Sequence, residues 1–243
     1  KFWTSIGFNA TLGLNVSSAL VNISQLPLVT VPWLAGKYGS SLPNGIAKAS
    51  KALGKATRIL NSSRGLRRDV EAYGESGAKE KVKVEDTFNM FGLDNYDYND
   101  PNLSAEIKEY KVLVELASSL GQLNRSVAVT VLDLDNVNGA MAKVNAVTGF
   151  VFNHAERFNR QVTMIMAYDM GLDKMRAEGR QINDSARREA AMDAINDTEY
   201  TNGSLANAAA PRFAQKGIGK ILFLFKRYAS QMYAILFKLT QDS

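Results

Sequence analysis

"FVFNHAERFNRQVTMIMAYDM", residues 150–170, contains no proline, and none occurs anywhere from Asn102 to Ala210. Proline deletes a helical N–H donor and clashes with the preceding turn, so a proline-free stretch of this length permits long helices. The reading that follows is a helix over 150–178, with others over 104–121, 126–149, 184–197 and 211–240. Gly149, Gly171 and Gly179 are candidate breaks or close-packing points. Ser104 has the side chain of an N-cap, and Glu106 falls in the first turn, where a carboxylate suits the positive end of the helix dipole. The expected class is all-α: several long helices in an elongated bundle, with an irregular acidic loop in the N-terminal half.

Toward the N-terminus the texture changes. Between Lys1 and Lys37 there is no charged side chain, and Leu12, Val16, Ala19, Leu20, Ile23 and Leu26 recur at helical spacing, which predicts a helix to about Gln25, while the alternation of Ile6, Phe8, Ala10, Leu12 and Leu14 is a competing strand signal at its start. Pro27 and Pro32 then predict an extended or kinked stretch. After the turn-rich "GKYGSSLPNG" comes "IAKASKALGKATRIL", where Lys48, Lys51, Lys55 and Arg58 share one helical face and Ile46, Leu53 and Leu60 lie roughly opposite. This is a basic amphipathic helix, a type that is either a solvated face or a binder of polyanions and membrane surfaces. Residues 69–103 are rich in Gly, Asp and Asn without a sustained period, so a long loop with at most a short strand over 81–85 is expected. The predicted organisation is an uncharged then basic helical arm (1–68), an acidic loop or insertion (69–103) and a helical body ending in an apolar helix (104–243).

Charge is laid out in blocks. Residues 1–68 carry nine Lys or Arg and no acid, 69–110 carry eleven acids against four bases, and 200–241 carry six bases and no acid. Both basic ends therefore need an acidic surface: nucleic acid, anionic lipid, or the chain's own acidic segment. The 46% hydrophobic and 22% charged composition is that of a folding chain, which excludes wholesale disorder.

Enzyme chemistry finds little footing. There is no cysteine and one histidine, His154, so disulfides, Cys/His zinc sites and Cys–His dyads are excluded, and His154 reads as a surface or packing residue. "GIGK" at 217–220 lacks the Ser or Thr that a phosphate loop requires after its lysine. Asp133 with Asp135, and Asp169 with Asp173, are carboxylate pairs that could serve acid–base chemistry or a hard cation, but solvated acids are the commoner occupants of such spacings. A non-enzymatic chain without cofactor or metal is expected.

The C-terminal "GIGKILFLFKRYASQMYAILFKL", residues 217–239, is apolar over most of a helical circumference, yet Lys226 and Arg227 interrupt it near its middle. A charge at the bilayer centre costs about 2.5–3.5 kcal/mol on insertion scales, so simple spanning is disfavoured. Burial between helices or subunits, or an interfacial position on lipid, remains.

Three stretches together carry a resemblance: "LNVSSALVNISQLPLVTVPWL" (14–34), "FVFNHAERFNRQVTMIMAYDM" (150–170) and "NGSLANAAAPRFAQKGIGKILFLFKRYASQMYAIL" (202–236). They resemble the C-terminal region of the large internal virion, or ejection, proteins of short-tailed bacteriophages, over roughly a third of the chain and in texture rather than by a motif. The resemblance implies a helical piece of a longer polypeptide, in keeping with an opening "KFWTSIG" that lacks an initiator Met. It further implies a homo-oligomer within the virion interior that packs with other core and portal proteins, then passes to the host envelope to help form a conduit for the genome. Lys48, Lys51, Lys55, Arg58, Lys220, Lys226 and Arg227 are the expected contacts to DNA backbone or, after ejection, to lipid headgroups, through unspecific charge attraction. The alternative is a stand-alone membrane-active or membrane-surface helical protein whose apolar ends insert.

Overall fold

In this computed structural model, which describes residues 23–64, 66, 70–73, 79–82, 91–123 and 140–202, the fold is all-α. A π turn (Leu26–Thr30) leads into α1 (Val31–Tyr38) and, round a tight corner, α2 (Leu42–Ser62). A small antiparallel hairpin of β1 (Val70–Tyr73) and β2 (Lys79–Val82) follows, with Val70 opposite Val82 and Tyr73 opposite Lys79. The strand expected over 81–85 thus begins two residues earlier, and its remainder lies outside the described residues. A 3-10 turn (Leu93–Asn95), α3 (Ala105–Lys108), α4 (Lys111–Ser119), α5 (Ala140–Ala177) and α6 (Asp184–Asn202) complete the order.

α5 organises the rest. At 38 residues it is one helix about 57 Å long, running through Gly149 and Gly171, so the helices expected over 126–149 and 150–178 are continuous from Ala140 on, with 126–139 outside the described residues. A helical glycine costs about 1 kcal/mol relative to alanine, a cost that tertiary burial outweighs at Gly171. The real stop is Gly179, whose φ of 76° lies in the left-handed region. There the Arg180 N–H closes back on Met175 O at 3.0 Å, a Schellman-type end. From Ala155 to Leu172 no side chain of α5 is exposed. α6 returns antiparallel along it and buries Ala186, Ala190, Ala191, Ala194 and Ile195, mostly small residues that let the two helices approach closely. α6 starts on Asn183, whose Oδ1 accepts from the Ala186 N–H at 2.9 Å, and extends a full turn beyond the predicted end.

The two prolines do not force an extended chain. The backbone is helical without a break from residue 23 to Tyr38, and the missing donors of Pro27 and Pro32 are met by a local widening into a π turn, in which the Val31 N–H reaches Leu26 O five residues back. α1 then lies against α2 through a close corner. The buried face of α2 is Gly45, Ala49, Ala52, Ala56, Ile59 and Leu60, whereas Ile46 is exposed and Leu53 only half-buried. Large apolar residues alone therefore misplace this face; the alanines mark it, because α1 and α5 press close. A Cβ at Gly45 would stand inside 3.0 Å of the carbonyl oxygen, carbonyl carbon and Cα of Ala35. α1 is also latched to α6 by one buried carboxylate, Asp197, which accepts from Trp33 Nε1 (3.1 Å), Lys37 Nζ (2.8 Å) and Tyr38 OH (2.7 Å).

The helix expected over 104–121 is interrupted. Ser104 does cap it, accepting from the Ile107 N–H, but the chain tightens at Tyr110, whose N–H bonds to Ile107 O rather than to a carbonyl four residues back. At this break Tyr110 is wholly buried, with its ring 5.9 Å from that of Tyr168. Within the stretch expected to be a loop, Leu93 and Tyr96 enter the core, and the Tyr96 hydroxyl donates to Ile59 O at the end of α2 (2.6 Å).

Gly45→Ala should destabilise the fold by about 1–3 kcal/mol through overpacking at the corner. Gly54→Ala, on the same helix with nothing within 4 Å of its Cβ position, should stabilise it by about 0.5–1 kcal/mol. Urea unfolding of the two variants checks the pair; equal effects would refute the close-approach account.

Candidate functional site

The basic face of α2 does not stand alone in solvent. It forms one wall of a groove of about 980 Å³ whose other wall is the C-terminal third of α5, with α3 at its rim. Each carboxylate in this groove is already engaged. Asp169 of α5 receives Lys55 Nζ at 2.7 Å and the Tyr110 hydroxyl at 2.9 Å. Glu106 of α3 receives Arg58 at 2.8 Å, an exposed pair. Glu109 receives Arg187 at 3.1 Å, and Asp173 receives Arg176 at 2.8 Å.

The cations are not all matched in return. Lys48 and Lys51, one turn apart on α2, line the groove, are exposed and have no ion pair among the described residues. Lys174, across on α5, donates to Lys37 O at 3.3 Å and likewise has no carboxylate partner there. The groove is therefore neutral in its depth and positive at its mouth. Water-facing ammonium groups of this kind attract phosphate and sulfate oxyanions without geometric selectivity.

Burial pushes the Asp169 carboxyl above the ordinary aspartate range, against the opposing pull of Lys55 and Tyr110. Burial, then the Asp169 charge, also drives the Tyr110 hydroxyl far up, so it remains a proton donor to the carboxylate. Lys55 completes the cluster with its ammonium 5.5 Å from the Tyr110 ring centroid, a cation–π distance. Asp169 and Asp173, expected as solvated acids, part company: Asp173 is exposed and pairs with Arg176, whereas Asp169 is largely buried on Lys55. Among the described residues no group of His, Asp and Glu could hold a metal ion.

Of the predicted contact residues, Lys48, Lys51, Lys55 and Arg58 share the groove wall, but Lys55 and Arg58 are taken by the chain's own acids. Lys220, Lys226, Arg227 and the apolar helix over 217–239 lie outside the described residues, as do Asp133 and Asp135. His154 packs its ring 5.8 Å from Phe91. Among the described residues no helix is long and apolar enough to cross a membrane. Sequence reading missed Lys174 and Tyr110. A lysine in the last turn of a helix is so ordinary a complement to the dipole that nothing in the sequence marks Lys174 out. No family model matches the chain, and neither does any curated protein or solved structure.

A buried acid with a raised value contributes stability that is present in full below the unfolded-chain value and lost as pH rises through the folded one. The stability of the wild type relative to Asp169→Asn should therefore fall as pH rises above the ordinary aspartate range of about 4 in chemical denaturation. A gain instead would mean that the Lys55 ion pair outweighs burial.

Proposed function

We propose that this chain is a non-enzymatic structural module of a larger helical assembly, of the internal-core and genome-ejection kind its sequence resembles, and that α2 holds DNA by its phosphate backbone. The carrying observation is the charge pattern of the groove: its acids are spent on internal partners, while Lys48 and Lys51 stand exposed with no ion pair among the described residues. An ammonium facing water releases condensed counterions when it meets a phosphate, and that release drives binding without reading sequence.

Packing in an oligomer has its own support. Leu28 is 61% exposed and Leu42 49%, and Ile46 sits one turn after Leu42 on α2, just before the lysines. Large apolar side chains beside a polyanion-binding face suit a surface that a neighbouring subunit covers while DNA runs past it. Passage from the virion interior to the host envelope belongs to the same proposal and rests on the resemblance.

Fluorescence anisotropy with duplex DNA tests the contact. Replacing Lys48 and Lys51 by Gln together should reduce the salt slope of binding by about 0.9 per lysine, with the thermal midpoint unchanged. A slope that stays at the wild-type value would remove α2 from the interface. Sedimentation velocity should show concentration-dependent association, and Leu28→Ser with Leu42→Ser should weaken it; a monomer at every concentration would end the oligomer reading.

A further inference from the structure

Resting on that reading, we infer that the groove between α2 and α5 is a binding site for the phosphate chain of a single nucleic-acid strand, held between Lys48 and Lys51 on one wall and Lys174 on the other. Three observations lead there. The first is size. A cavity of about 980 Å³ is of the scale that takes a small molecule or a few linked phosphates, and a duplex cannot enter it. Duplex DNA would touch the outer lysines of α2 only.

The second is the placement of unmatched charge on facing walls. Lys174 is steadied by its bond to Lys37 O, which uses one of the three donors of its ammonium and leaves two for a ligand. An anion bridging Lys174 to Lys48 and Lys51 would neutralise the three groove cations that have no carboxylate partner among the described residues, without breaking any ion pair inside the groove.

The third is the want of a stacking platform. Proteins that grip single strands by their bases lay them on exposed aromatic rings. The one ring on this groove wall among the described residues, Tyr38, is buried with its hydroxyl on Asp197. The site therefore holds phosphates and ignores bases, so oligothymidine and oligodeoxyadenosine of equal length should bind alike.

The test is anisotropy with the full chain, labelled oligothymidine and a labelled duplex. Lys174→Gln should reduce the salt slope for the single strand by about 0.7 and leave that for the duplex unchanged. Lys174→Arg should keep the wild-type value. Because Lys174 is exposed, all variants should match the wild type in thermal midpoint. Equal losses on both forms of DNA, or none on the single strand, would overturn the inference, as would a strong preference for one base. Inorganic tripolyphosphate should compete with the strand and bind no more tightly; tighter binding would make free polyphosphate the ligand and refute a strand. If wild-type protein binds neither DNA, the proposed DNA contact fails too. If it binds duplex through Lys48 and Lys51 while Lys174→Gln changes nothing, the inference alone fails.

Discussion

A helix enclosed on every side has no outward face on which to leave its polar side chains. α5 is in that position from Ala155 to Leu172, and its sequence there is far from purely apolar. Each polar group must find a partner on a neighbouring element, because an unmet one costs about 1–3 kcal/mol. Arg157 donates to Asp94, and Arg160 to Gln122, which itself donates to Glu199 of α6. Gln161 accepts from the Leu93 N–H and donates to Leu123 O, so one side chain pins segments on both flanks. Thr163 meets Thr30 and Asn202, the Tyr168 hydroxyl donates to Glu109 O, and Asp169 takes Lys55 and Tyr110. Apolar packing brings these elements together, and this ladder of polar contacts fixes how far each may slide along α5.

The ladder also decides what the groove can offer. Its lowest rung, Asp169, draws Lys55 inward and out of competition for external anions. Glu106 and Glu109, at the rim and base of the short α3, absorb Arg58 and Arg187 in the same way. Among the described residues only Glu106 joins the acidic block to the basic one, through Arg58; Asp94 and Glu109 take Arg157 and Arg187 of the helical body, and Lys37 and Lys55 take its Asp197 and Asp169. Among the described residues Lys48, Lys51 and Lys174 are left exposed without a carboxylate partner.

Much of this was legible from the sequence. The absence of proline after Asn102 foretold long helices, Ser104 foretold its cap, and the lysine stripe of α2 is where spacing put it. What could not be read depends on neighbours. Gly149 looks like a break in isolation but lies within α5, and Tyr110 looks like one more helical residue until its ring is claimed by the core. The buried side of α2 is written in alanines, a signal that hydropathy underrates because it reports closeness rather than grease. Which of four lysines and arginines stays free likewise turns on acids at positions 106 and 169, distant in sequence and adjacent in space.

Thr163 sits at the middle of α5 and touches both Thr30, near the first described residue, and Asn202, the last. Close by, the rings of Trp33 and Tyr200 lie 4.4 Å apart. Residues 30–33 and 200–202, far apart in the chain, thus clasp one another beside the middle of α5. A change at either end of this clasp is felt at the other, because both share Thr163 as a hinge pin.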